Sequence, residues 1–269
     1  MEISREVKLL IDKYNFKASK RLGQNFLVSS SALNFIVEAI KPSKEKTYIE
    51  IGSGFALLTR EVAKYAGHIY AIELDERFKP YYDENPIPNV TFIMGDALNI
   101  DFDNFHADEI YGNIPYYITS DLVMKVARSS LSRAILLVQD EVARRLASNV
   151  SQKEYGSITV FTKYFFDVKF LKRFPPSFFI PRPDVYSSLI ELKRIRAYFP
   201  EDDEFMSFVH KAFNRRRKKL LTTLKEFYNF DFLQVFRKYN ISENARPEEL
   251  DVEDFLKIYR EYKELTKSP

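Results

Sequence analysis

The chain has 269 residues, of which 45% are hydrophobic and 29% charged, with a formal net charge of +3. This composition excludes global disorder and supplies enough apolar residues for one large domain or a medium and a small one. Cysteine is absent, which excludes disulfides and thiolate metal sites and fits a reducing compartment.

Residues up to about Tyr14 read as an amphipathic helix with Val7, Leu10 and Ile11 on one side. Lys17, Lys20 and Arg21 follow, just ahead of Leu22-Gly23-Gln24-Asn25-Phe26-Leu27 and a helix from Ser29 or Ser30 to Ile40. A solvated basic arm and a functional loop both fit this stretch.

From Thr47 the pattern becomes strand, turn, helix: Thr47 to Ile51, then Gly52-Ser53-Gly54-Phe55-Ala56, then Leu57 to Tyr65. Gly52 and Gly54 let the backbone turn tightly and approach a ligand closely. Leu57 stands where a dinucleotide fingerprint has its third glycine, which favours a smaller nucleoside ligand over a pyrophosphate. A second strand, His68 to Ile72, ends at Glu73, where an acid can accept hydrogen bonds from both ribose hydroxyls. A third, Val90 to Met94, runs into Gly95-Asp96-Ala97-Leu98, where Asp96 can serve either as a helix cap or turn former or as an acceptor for an adenine amine.

A fourth strand, Glu109 to Tyr111, delivers Asn113-Ile114-Pro115-Tyr116. An amide, a stiff imide and a flat ring side by side can grip a nucleobase by its exocyclic amine and its π-face. A Pro-containing turn with a core tyrosine is the structural alternative. Four strand ends therefore point to one crevice.

Arg133 to Gln139 reads as a buried fifth strand, followed by a helix with Val142, Ala143, Leu146 and Ala147 inward. After the Tyr155-Gly156-Ser157 turn, Val160 to Leu171 reads as a long strand. The proline-rich run from Pro175 to Pro183 carries Phe178 and Phe179, either as a loop folded over the core edge or as a base-stacking wall. Ser187 to Leu192 gives a last strand. Beyond Arg196 only helical signals remain, so residues 1–196 are expected to form one domain and 197–269 a helical one. The successive cations Arg215, Arg216, Arg217, Lys218 and Lys219, wrapping a helix, read as phosphate contacts.

With these segments in hand, the chain resembles the ribosomal RNA adenine dimethyltransferases, which convert two adjacent adenines near the 3′ end of small-subunit rRNA to N6,N6-dimethyladenine using S-adenosylmethionine. The resemblance runs from about Lys20 to Leu221. It rests on the 22–27 loop, Glu50-Ile51-Gly52-Ser53-Gly54, Ile72-Glu73-Leu74-Asp75, Gly95-Asp96-Ala97-Leu98, Asn113-Ile114-Pro115-Tyr116, Gln139-Asp140-Glu141-Val142-Ala143, Phe179 to Val185 and Phe213 to Lys218, in the family's order. It departs at Ser53, where Pro is frequent, and at Tyr117, where many members have Asn.

The resemblance implies an α/β class I methyltransferase fold, a mostly parallel seven-stranded Rossmann-like sheet, with a small all-helical C-terminal domain. It implies an S-adenosylmethionine site lined by Asn25, Leu27, Gly52, Gly54, Glu73, Asp96, Ala97 and Asn113. Asn113, Pro115 and Tyr116 are the expected catalytic group with Phe179 as opposing wall, and Lys20, Arg21 and Arg215 to Lys219 the expected RNA contacts. The expected partner is small-subunit rRNA within a ribosomal particle, met by a monomer. Two other readings stand at this point: an adenine methyltransferase of large-subunit rRNA or DNA, and an RNA-binding assembly or transcription factor of the same fold without activity. No metal is expected, because His68, His106 and His210 lack ligand spacing. No run reaches membrane-span length and the acidic start lacks an apolar signal core, so a soluble, cytoplasmic protein is expected.

Overall fold

A computed structural model describes residues 3–19, 21–215 and 218–266. In chain order its regular elements are α1 (Ile3–Lys13), β1 (Phe26–Leu27), α2 (Ser30–Ile40), β2 (Thr47–Ile51), α3 (Leu57–Ala63), β3 (His68–Glu73), α4 (Lys79–Glu84), β4 (Val90–Met94), β5 (Glu109–Asn113) and α5 (Thr119–Arg128). There follow β6 (Arg133–Gln139), α6 (Asp140–Ala147), α7 (Ser157–Phe165), β7 (Phe166–Phe174), β8 (Phe179–Ile180), β9 (Ser187–Arg194), α8 (Asp202–Ala212), α9 (Leu220–Phe227), α10 (Leu233–Lys238) and α11 (Val252–Thr266). Two compact units result: Met1–Ala143 with Asp167–Arg194, and Arg144–Phe166 with Ile195–Pro269.

The first unit holds a seven-stranded sheet in the order β4-β3-β2-β5-β6-β9-β7, in which β4 to β6 pair in parallel and β9 runs antiparallel to β6. Near-continuous apolar runs make this possible, because a sheet covered on both faces buries every residue of its central strands. Tyr48, Ile69, Tyr111, Ile135 and Leu137 pack on one face with Ala32, Ile36 and Val62 of α2 and α3. The alternate residues Ile49, Ile110 and Leu136 are equally buried. β2 and β5 pass so closely at Gly112 that a Cβ there would sit 2.4 Å from the Ile51 oxygen, so no other residue fits without moving a strand. A short β1–β8 pair, Leu27 opposite Phe179, is separate from the main sheet.

The second unit is helical, with an aromatic cluster of Phe208, Tyr228, Phe232, Tyr259 and Tyr262 from α8, the segment after α9 and α11. Val160 to Leu171 is not one strand. It is helical through Phe165 and extended only from Phe166. Val160, Phe161, Thr162, Tyr164 and Phe165 are all buried, and with only Lys163 half-exposed among them the run is too apolar and too short for periodicity to distinguish a helix from a strand. Burial in the helical unit overrides β-branched and aromatic propensity. Segment 144–166 accordingly groups with the C-terminal helices, which differs from a single cut at residue 196.

The described residues of the basic run do not form one helix either. Phe213–Arg215 is a single 3-10 turn, and Lys219 is the N-cap of α9. Glu226 meets Arg215 at 3.3 Å and Lys218 at 3.4 Å, an acid 11 and 8 residues further on that a local reading of charge could not balance against them. Arg216 and Arg217, like Lys20, lie outside the described residues.

Candidate functional site

Backbone bonds draw the ends of β2 to β5 together. Gly52 N donates to Ile72 O, Gly95 N to Glu73 O and Ile114 N to Leu137 O, each at 2.8–2.9 Å. The residues immediately beyond these ends line one cavity of about 1100 Å³, counted with its open mouth. Gly52, Gly54, Glu73, Asp96, Ala97 and Asn113 all line it, and Asn25 and Leu27 approach from the N-terminal loop. Gly52 and Gly54 have φ of +74° and +51°, so both depend on glycine's freedom in the left-handed region.

Each polar group has a defined state. Glu73 is 8% exposed; its two carboxylate oxygens accept from Gly54 N at 2.9 Å and Asp75 N at 3.0 Å. Burial raises its carboxyl above the ordinary value, and these backbone donors hold the rise in check. Asp96 accepts from Leu98 N at 2.9 Å and so forms the turn after β4 while keeping acceptor capacity. Asn113 closes β5; its Nδ2 donates to the Asn25 carbonyl at 2.8 Å. A carbonyl can receive only the nitrogen of that amide, so the Asn113 oxygen is left for an acceptor role.

Ser53, one of the two departures from the family pattern, has its own part. Tyr82 gives its single hydroxyl proton to Gly54 O at 2.8 Å, so Ser53 Oγ must be the donor in its 2.9 Å contact with Tyr82. This pins the glycine turn from behind.

Among the residues expected at the reacting centre, Asn113 and Pro115 line the cavity, whereas Tyr116 and Phe179 do not. Phe179 is 3% exposed and packs in the core with Phe174 and Leu189, so in this conformation it presents no face to a base. Tyr116 is half-buried, and its hydroxyl meets Ser187 Oγ at 3.0 Å. The neighbour that reaches the cavity is Tyr117, 55% exposed; burial raises its phenol, the carboxylates of Asp96 and Glu73 add to that, and Arg21 opposes it. Local sequence could not decide between two adjacent tyrosines, because a 3-10 turn over Tyr116–Ile118 sends them to different sides.

Sequence reading also passed over a network that starts at Gln24, a residue lining the cavity beside Asn25. Gln24 Nε2 donates to Asp75 Oδ2 at 2.7 Å, and Arg77 donates to both oxygens of Asp75. Burial alone would raise the Asp75 carboxyl, but the Arg77 and Gln24 hydrogen bonds outweigh it and hold it below the ordinary value.

S-adenosylmethionine fits these residues. The open glycine turn admits a ligand against the backbone, Glu73 is the buried acceptor a ribose diol needs, Asp96 suits an amine, and Leu27 and Leu74 offer apolar walls. Among the described residues no cluster of His, Asp and Glu could hold a metal ion, and no helix is long and apolar enough to cross a membrane.

Strand order, the antiparallel β9 and a cavity at the carboxyl ends of the strands lined by the glycine turn, Glu73 and Asp96 together define a class I S-adenosylmethionine-dependent methyltransferase. The family model for ribosomal RNA adenine dimethylase matches residues 15–264. A ribosomal RNA small subunit methyltransferase A from Clostridium botulinum is 37% identical over 93% of this chain and 96% of its own, and that of Natranaerobius thermophilus 33% identical over 95% of each. A dimethyladenosine transferase from Plasmodium falciparum superposes with a TM-score of 0.78 at 26% identity, covering 88% of this chain and 96% of its own. The 23S rRNA methyltransferase ErmE, at 24% identity and a TM-score of 0.68 over 88% and 98%, shares the fold. The chain belongs to the ribosomal RNA adenine dimethylase family.

Proposed function

We propose that this protein dimethylates N6 of two adjacent adenines near the 3′ end of small-subunit rRNA, in a ribosomal particle in the cytoplasm and as a monomer. The observation that carries the chemistry is the oriented Asn113 amide, whose nitrogen is held by Asn25 and whose oxygen is left to accept. The small-subunit target is supported by relatives that carry that name.

S-adenosylmethionine, when bound, supplies an electrophilic methyl group. An adenine amine is a poor nucleophile because its lone pair is shared with the ring. The Asn113 oxygen and the Ile114 carbonyl accept its two hydrogens and pull the nitrogen toward tetrahedral geometry; the Pro115 carbonyl is the weaker candidate, since it already accepts from Ile118 N at 3.2 Å. Tyr116, its ring fixed through Ser187, stacks on the flipped base. Glu73 and Asp96 orient the donor; the methylated N6 carries a positive charge and is acidic enough to lose its extra proton to water, so no strong general base is required. Arg21, Arg215, Lys218 and Lys219, all exposed, supply phosphate contacts, together with Lys20, Arg216 and Arg217.

The test is a substrate panel with labelled S-adenosylmethionine: undermethylated small subunits, free small-subunit rRNA, large subunits and DNA. Label entering small-subunit RNA above all others is expected. Label in large subunits or DNA instead would overturn the target, and label in none would make the protein a binding factor.

A further inference from the structure

We infer that Gln24 is a positioning residue for methyl transfer, acting through Asn113; this rests on the reading of Asn113 as acceptor for the adenine amine. Gln24 uses both ends of its amide. Its Oε1 accepts from Ser19 N at 2.7 Å and its Nε2 donates to Asp75 Oδ2 at 2.7 Å. Asp75 is a firm anchor: it is 6% exposed, and Arg77 meets it with Nε at 2.8 Å and Nη2 at 2.5 Å. Arg77 also donates through Nη1 to Lys17 O at 3.1 Å and lies over the Phe16 ring at 4.4 Å. Lys17 and Gln24 are thus each tied to the turn after β3.

The next residue is Asn25, whose carbonyl receives Asn113 Nδ2. An amide side chain has two orientations of nearly equal shape, and only its hydrogen bonds choose between them. Asn113 presents an acceptor as long as the Asn25 carbonyl keeps its nitrogen. Without that carbonyl the amide can turn over and offer N–H groups to an amine that itself donates. Gln24 anchors the residue immediately before that carbonyl to Asp75, and the Asn25 side chain adds a local bond, Nδ2 to Gly23 O at 3.0 Å, so the carbonyl's position depends on the Gln24 anchor. A purely structural Gln24 would stabilise the loop without selecting the Asn113 orientation.

The experiment uses the full chain, its Gln24→Met variant, which keeps length and loses both hydrogen bonds, and Gln24→Asn, too short to span Ser19 and Asp75, in case the first folds poorly. The Asn113 side-chain amide is followed by NMR on asparagine-labelled protein, its signal assigned by its loss in Asn113→Ala. Single-turnover methyl transfer is measured in parallel in the Gln24 and Asn113 variants and in the double variant. Expected are faster exchange of the Asn113 amide protons by at least about tenfold and transfer slower by about 10- to 100-fold. In the Asn113→Ala background the same Gln24 change should cost less than about threefold, because residues acting as one unit are not additive. An unchanged Asn113 amide signal, or equal losses in both backgrounds, would overturn the proposal. Full transfer by Asn113→Ala would instead sink the acceptor reading, while the amide exchange would still judge the positioning.

Discussion

Asn113 Nδ2 stands 2.8 Å from the backbone oxygen of Asn25, 88 positions earlier in the chain. That single bond sets which atom the amide shows to the cavity. Asn113→Ala should therefore slow methyl transfer by on the order of 10²- to 10³-fold, the usual loss for one preorganised polar group at a reacting centre. Its affinity for S-adenosylhomocysteine, measured by calorimetry, should change by less than about tenfold. Equal losses in transfer and in cofactor affinity would reduce Asn113 to a binding residue.

Tyr117 lines the cavity where many relatives are expected to carry Asn, and its phenol feels both Asp96 and Glu73. Removing the ring in Tyr117→Ala should weaken S-adenosylhomocysteine binding by about 1–2 kcal/mol, or about 5- to 30-fold, whereas Tyr117→Phe should be nearly neutral. Tyr116→Phe, which breaks only the Ser187 contact, should leave that affinity alone. Weakened cofactor binding in Tyr116→Phe with none in Tyr117→Ala would reverse the two assignments.

Glu50 is wholly buried in β2, and burial pushes its carboxyl up to about 7 from an ordinary 4.5; the Glu73 carboxylate adds to the rise and the Tyr111 hydroxyl, 3.0 Å away, opposes it. Because the folded state holds this proton more tightly than the unfolded chain, stability is fully present below about pH 4.5. It is lost as pH rises through about 7. Glu50→Gln removes the titration while keeping an acceptor for Tyr111. In urea unfolding the variant should gain on the order of 1–3 kcal/mol over the parent at pH 8 and little at pH 5. A difference independent of pH would refute the shift.

Arg215 and Lys218 share Glu226 on an exposed surface, so their pairing contributes little to stability and competes with phosphate. Replacing Arg215, Lys218 and Lys219 by Gln should reduce the salt slope of RNA binding by about 2–3. Glu226→Gln should do the opposite to affinity, tightening binding at low salt. An unchanged slope in the first variant would show these cations to be solvated surface only.

The sheet and the cavity were legible because their signals are local: an apolar run, then a glycine or an acid where the strand stops, as at Gly52, Glu73, Asp96 and Asn113. What escaped is set by distant residues. Nothing near Gln24 announces Asp75, nor does the run at Arg215 announce Glu226. Tyr116 and Tyr117 look alike until a 3-10 turn separates them. Phe179 resembles a base wall by its place in a proline-rich run, yet its pairing opposite Leu27 puts it in the core. Val160 to Phe165 look like the start of a strand running to Leu171 because this buried, largely apolar part of the helix is too short to show its period.

The most direct measurement is nucleoside mass spectrometry with position mapping, on undermethylated small subunits incubated with this protein and S-adenosylmethionine. The account predicts N6,N6-dimethyladenosine at two adjacent adenines near the 3′ end of the small-subunit rRNA. Monomethyladenosine alone, or dimethyladenosine at a single or internal position, would contradict it.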